Sequence, residues 1–237
     1  MTGGTHDGRR AAILAIDCAT TQVVVASGSP DGRLDGLTTW AAGYRHGETL
    51  LPTIGRFLGE QNIGRSRLTG IVVGTGPGAF TGLRVGLATA KGLAHGLGLP
   101  LVGISTGEAL LVAASAATAA GAATDGTPVL LLPAGPSDRI VVRRGTPGVL
   151  LVAGTEPTLA AGESLVAIDL DGRADARALE RGEAARAGLG AALIALGAVR
   201  LAAGDVDDLA GLVPEYVTLP RGVRGEGGEV SWSRDHR

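Results

Sequence analysis

The chain has 237 residues, with 21 Lys and Arg against 23 Asp and Glu and a formal net charge of −2. That length buries one large core or two smaller ones, and the charge balance excludes the global basic field of a general nucleic-acid binder. Aromatic residues are only 3% of a chain that is 45% hydrophobic, so Ala, Leu, Val and Ile must build the core. Cys18 is the single cysteine, which excludes an intrachain disulfide and a multi-cysteine metal site.

In chain order, "AAILAIDCAT" is an apolar run that ends in Asp17 and reads as a buried strand. "TQVVVASG" follows within a few residues, then the turn chemistry of "SPDGRL" and a third strand in "RLDGLTTWAA". Connections this short leave no room for helices, so the three strands form an antiparallel meander. The period then changes. "HGETLLPTIGRFLGEQN" sets Leu50, Ile54, Phe57 and Leu58 at helical spacing, with Pro52 in the first turns. "RLTGIVVG" is a strand, "FTGLRVGLATAKGLAHGLG" a helix, "LPLVGIS" a strand, and "STGEALLVAASAATAA" a helix opened by Ser105 or Thr106.

The order β-β-β-α-β-α-β-α differs from the β-α-β opening of a dinucleotide-binding domain. It is the ribonuclease-H-like order of the two-lobed actin, Hsp70 and sugar-kinase group (the ASKHA fold). A first lobe over residues 1–107 is expected, then a degenerate second lobe over 108–220 with a linker at 121–127. The second lobe offers the strands "PVLLLPAG", "DRIVVRRG", "GVLLVAG" and "ESLVAIDLDG", and one long or two short helices in "RALERGEAARAGLGAALIALGAVRLAAG". The segment 221–237 has little apolar periodicity and reads as a mobile tail. The chain's uncharged stretches, such as 109–124 and 187–199, fall short of the ~20 residues that span a bilayer, and a cytoplasmic protein without a membrane role is expected.

Five glycines crowd the span from Gly74 to Gly82. "GTGPGA" fits a dinucleotide fingerprint, but the following strand lacks the acid that would hold a ribose. A Walker loop would need a lysine here, and none is present. The remaining reading is the second glycine turn of a ribonuclease-H-like lobe, facing Asp17. Asp17, Thr20, Gly76, Gly78 and Thr81 then form a vestigial nucleotide or phosphate site; alternatively Asp17 is structural, accepting backbone hydrogen bonds at its turn. Cys18 reads as a small buried hydrophobe. In the helix after the loop, Gly82, Gly86, Ala90, Ala94 and Gly98 recur every four residues. That stripe either seats the helix on its own lobe or meets a partner helix.

"ILAIDCAT", "HGETLLPTIGRFL" and above all "GTGPGAFTGLRVGLATAKGLA" with "LPLVGIST" resemble the TsaB (YeaZ) family, from about Ile13 to Glu108. Beyond that only "PEYV" at 214–217 is similar. The resemblance implies a non-catalytic subunit that pairs with TsaD, the catalytic paralogue, in forming N6-threonylcarbamoyladenosine in tRNA. It also implies a TsaE-like ATPase as partner, tRNA contact only through the complex, and helix–helix pairing with TsaD or with a second copy. His46, Leu50 and Ile54 on the first helix and Gly82, Gly86, Ala90 and Ala94 on the second would carry that contact, with ATP or ADP, if any, at the interface. No metal and no catalytic residue are expected: TsaD-like enzymes use two histidines one helical turn apart, whereas here no two histidines share a turn. The alternative is a small ATP-dependent kinase of the same fold. It would need a second-lobe carboxylate near "PAGPSD", where Pro133 and Ala134 stand in place of the family's frequent Asp-Ala-Arg and Asp138 lies across the turn.

Overall fold

The computed structural model describes residues 11–41, 43, 46–121, 126–216, 223–224 and 230–231. Its first half runs β1 (Ala12–Asp17), β2 (Gln22–Gly28), β3 (Leu34–Ala41), α1 (His46–Glu60), β4 (Leu68–Gly74), α2 (Phe80–Leu97), β5 (Leu101–Ile104) and α3 (Thr106–Ala119), with a short 3-10 turn before β4. This is the expected order. The sheet order is β3-β2-β1-β4-β5: the three leading strands pair antiparallel, and β4 and β5 join parallel. Strands β1, β2 and β4 are buried on both faces, which is why they read as continuous apolar runs, while β3 at the edge alternates.

The second half gives β6 (Thr127–Pro133), β7 (Arg139–Val142), β8 (Val149–Leu151), β9 (Glu163–Ala167) and α4 (Ala176–Ala202). The order β8-β7-β6-β9 repeats the first sheet without its last strand: an antiparallel meander, then a parallel neighbour of its first strand. The second lobe is thus a shortened copy of the first. The expected linker lies partly outside the described residues. So does the tail, apart from the antiparallel pair β10 (Val223–Arg224) and β11 (Val230–Ser231).

Alternation along the strands sets the layers. Leu14 and Ile16 face α1 and α2, in a cluster with Leu50, Ile54, Phe57 and Leu87. Ile13 and Ala15 face the other way, into a cluster shared with α3, α4 and the inward residues Leu130, Leu132, Ile140 and Val166 of the second sheet. Helices α3 and α4 therefore fill the space between the sheets, and the two lobes share one core across the expected boundary at residue 107. Helix α4 has 27 residues and is long and apolar enough to cross a bilayer by length and composition. Here Leu189, Leu193 and Ile194 bury its inner face in that shared cluster.

Candidate functional site at the cleft between the lobes

Two turns of the first lobe frame the site, one after β1 and the other the glycine loop after β4. Asp17 ends β1 with no exposure at all. Its Oδ1 accepts from the Ala19 amide (2.8 Å) and its Oδ2 from Thr106 Oγ1 (2.6 Å), which in turn accepts from the Gly76 amide (3.1 Å). Burial pushes the Asp17 carboxyl up to about 6, although the bonds from Thr106 and Ala19 pull it down. A Cβ on Gly74 would overlap the carboxylate, so glycine is what lets β4 pass beside it. The two turns also touch directly. The Ala79 amide donates to the Ala19 carbonyl (2.7 Å), and a Cβ on Gly78 would overlap that oxygen. Burial, with the neighbouring Asp17 charge, pushes the Cys18 thiol far above its ordinary range, so it is no nucleophile.

A cleft of about 720 Å³ opens between the lobes. Thr21, Gly78, Phe80, Pro133, Asp169 and Tyr216 are among the residues that line it. Of the five residues expected to form a phosphate site, only Gly78 reaches it. Asp17 and Thr20 are buried, Thr20 Oγ1 donating to the Gln22 carbonyl (2.9 Å). Gly76 is buried behind the loop with φ +109°, and Thr81 is exposed on the first turn of α2. The five residues are therefore not brought together on the cleft, and the Gly76 and Ala79 amides bond within the chain, to Thr106 Oγ1 and to the Ala19 carbonyl. Asp138 lines the cleft, but its Oδ1 accepts from the Ala153 amide (3.1 Å). Among the described residues, no three His, Cys, Asp or Glu side chains gather as a metal site.

The charged floor of the cleft was not foreseen from sequence. Asp169 accepts from the amide and hydroxyl of Thr21 in the opposite lobe (2.7 and 2.6 Å) and pairs with Arg186 (3.1 Å). Arg173 donates to the carbonyl of Pro136 (3.0 Å). One signal was present: "VAID" ends in Asp169 as "LAID" ends in Asp17.

The rim is closed by the segment after α4. The Asp207 amide donates to the Leu101 carbonyl (2.9 Å), and Asp207 Oδ2 accepts from the Gly103 amide (2.7 Å), covering the edge of β5. The Glu215 amide then reaches the Thr75 carbonyl (2.7 Å), and Ser105 Oγ donates to its carboxylate (3.1 Å). Burial raises the Glu215 carboxyl above its ordinary value, against the lowering effect of Ser105. Tyr216 packs on Phe80, with ring centroids 5.2 Å apart, and its hydroxyl accepts from Arg84 Nε (3.1 Å). Glu215 and Tyr216 of the "PEYV" string thus belong to the cleft, and Val217 lies outside the described residues.

The residues expected to meet a partner are placed inside this chain, apart from His46. Leu50, Ile54, Gly82, Gly86, Ala90 and Ala94 are all buried within this chain. A Cβ on Gly86 would meet Cys18 at 3.2 Å, so the stripe seats α2 on β1 and β4. The side chain of His46 lies outside the described residues. Small residues also occur on the exposed side, among charged ones such as Arg56 and Glu60: Gly47, Gly55 and Gly59 with the exposed Leu51 on α1, and Ala88, Gly92 and Gly96 on α2. A Cβ on any of these glycines would meet no described atom within 4 Å.

The profile of the family described as TsaD, tRNA N6-adenosine threonylcarbamoyltransferase, matches residues 33–173. An uncharacterized protein of Mycobacterium leprae is 38% identical over 103 residues, which are 41% of this chain and 28% of that protein. The tRNA threonylcarbamoyladenosine biosynthesis protein TsaB of Escherichia coli is 36% identical over 94 residues, 40% of each chain. These matches span less than half the length of the curated relatives. Among solved structures, YeaZ from Pseudomonas aeruginosa superimposes with a TM-score of 0.61 at 22% identity, covering 87% of this chain and all of that one. This last likeness shows a shared fold with YeaZ, and with the family match it agrees with a two-lobed actin-like architecture.

Proposed function

Because the chain belongs to the TsaD family of tRNA N6-adenosine threonylcarbamoyltransferases, we propose that it serves the formation of threonylcarbamoyladenosine in tRNA as a non-catalytic, TsaB-type subunit. The observation that carries this reading is the outward face of α1 and α2. Gly47, Gly55, Gly59, Ala88, Gly92 and Gly96 leave space on which the helices of a TsaD-like paralogue can lie at close backbone distance. The similarity of this half of the chain to E. coli TsaB points the same way.

A subunit role also fits the burial of Asp17, the first-lobe carboxylate, which is bonded within the chain and does not line the cleft. The reading gives this chain no cofactor or metal of its own and sets any ATP or ADP at the contact between subunits. It includes a TsaE-like ATPase in the assembly, a homodimer through the same face when TsaD is absent, tRNA contact only through the complex, and a cytoplasmic location. Co-purification with the TsaD-like protein of the same cell, followed by a tRNA-modification assay with and without this chain, tests it. Stable pairing and modification that depends on the chain are expected. Steady ATP hydrolysis or sugar phosphorylation by the chain alone, abolished in Asp17→Ala, would support the kinase reading instead.

A further inference from the structure

Asp169 lies two residues beyond β9, and its φ of +55° is a left-handed conformation that Asp adopts more readily than most residues. From there its carboxylate crosses the floor of the cleft to the other lobe. Oδ2 accepts from the Thr21 amide (2.7 Å) and Oδ1 from Thr21 Oγ1 (2.6 Å), while Arg186 Nη2 stands 3.1 Å from Oδ1. Arg186 Nη1 also donates to Thr21 Oγ1 (3.4 Å). A backbone amide, a hydroxyl and a guanidinium thus converge on the Asp169 carboxylate, a donor set that suits an oxyanion, although Arg186 Nη2 is shared with the exposed Glu183 Oε1 (3.2 Å). Both carboxylate oxygens are in use, yet Arg186 Nε is buried with no partner in the structure. A carboxylate has only two oxygens, whereas a tetrahedral phosphate has four and can offer one to that remaining donor. Thr21 and Asp169 both line the cleft, so an anion held at this point would have the cleft's volume beside it.

We propose that Thr21 and Arg186 form a phosphate-sized oxyanion subsite in the cleft, and that the Asp169 carboxylate is an internal anion that fills it and staples the lobes together. In this arrangement the lobes are held at a fixed opening without a nucleotide, and free phosphate groups are excluded while Asp169 is in place. The proposal concerns the isolated chain and stands or falls independently of pairing with a TsaD-like partner.

The test compares the full chain with Asp169→Gly, which suits the positive φ. Melting temperature is measured in sodium phosphate and in sodium chloride at equal ionic strength, and phosphate and pyrophosphate binding are measured by calorimetry. The wild-type chain is expected to gain only the general stabilisation that phosphate salts give by exclusion from the protein surface, and this gain is the baseline for the variants. Asp169→Gly is expected to melt lower in chloride, to recover in phosphate by mass action, and to bind phosphate at least about tenfold more tightly than wild type. Adding Arg186→Gln is expected to remove both the recovery and the binding. Unchanged melting of Asp169→Gly, a gain in phosphate no larger than that of wild type, phosphate binding by wild type as tight as by the variant, or a response that survives Arg186→Gln would each overturn the proposal. If Asp169→Gly gives no folded protein in chloride, its refolding is repeated in phosphate: folded protein there supports the subsite, and none overturns it.

Discussion

At residue 17, an aspartate is held without solvent by one hydroxyl and one amide, and its ordinary preference for ionisation is partly overruled. Its carboxyl titrates near 6 in the folded chain against 3.8 in an exposed one, because burial outweighs the two hydrogen bonds. The folded state therefore binds this proton more tightly than the unfolded state. The stability it adds is fully present below about pH 4 and is lost as pH rises through about 6, roughly 3 kcal/mol for a shift of about two units. Glu215, also raised by burial, adds to the slope with the same sign. Denaturant melts from pH 4 to 7 are expected to show stability falling with pH in that window, and a markedly flatter profile in Asp17→Asn. An equal slope in the variant would refute the assignment. Asp17 itself was legible in sequence as the acid that ends an apolar run. Its partner Thr106 was not, because 89 residues separate them and only the pairing of β1, β4 and β5 brings them together. Asp169 escaped for a related reason. It looked like the end of one more strand, and its charge acquires meaning only from Thr21, 148 residues away in the other lobe.

At the scale of the elements, every strand and helix of the first lobe follows from hydrophobic period and turn residues, since buried parallel strands and amphipathic helices leave strong patterns. What the pattern did not reveal was which way a small-residue stripe faces. On α2 the run Gly82, Gly86, Ala90, Ala94 is flanked by Leu83 and Leu87, and these leucines take that side into the core. The offset run Ala88, Gly92, Gly96 has the same spacing and faces outward. The two faces predict opposite effects of a bulky side chain. Ala90→Leu overpacks the core against β1 and β4 and is expected to cost roughly 1–3 kcal/mol in denaturant melts. Gly92→Leu enters open space, so it is expected to leave the chain at least as stable while it blocks close helix approach. If Ala90→Leu melts like wild type, the packing described for α2 is wrong. If Gly92→Leu lowers melting at two protein concentrations alike, that face is packed within the chain and is not a free surface.

Across the whole molecule, the two lobes are joined by more than their connecting chain. Helices α3 and α4 lie in one shared core, Asp169 bonds Thr21 across the cleft, and the segment from Asp205 to Tyr216 returns to cover the edge of β5 and the glycine loop. Uncovering β5 would leave its outer backbone groups and the packing of Leu212 on Gly103 without partners. Truncation after residue 204 is therefore expected to lower the melting temperature clearly, whereas truncation after Tyr216 removes none of these contacts and is expected to lower it far less. Equal melting of both truncations would show that the returning segment contributes nothing to the fold. The central claim is that the chain acts through the outward face of α1 and α2 as a subunit without chemistry of its own. The most direct measurement is reconstituted threonylcarbamoyladenosine formation on tRNA with the TsaD-like protein of the same cell, using wild-type chain, Gly92→Leu and Asp17→Asn. The account predicts full activity with wild type, loss of both co-purification and modification with Gly92→Leu, and near wild-type modification with folded Asp17→Asn. Modification that is undiminished without this chain, or that survives Gly92→Leu but is abolished by a folded Asp17→Asn, would contradict it.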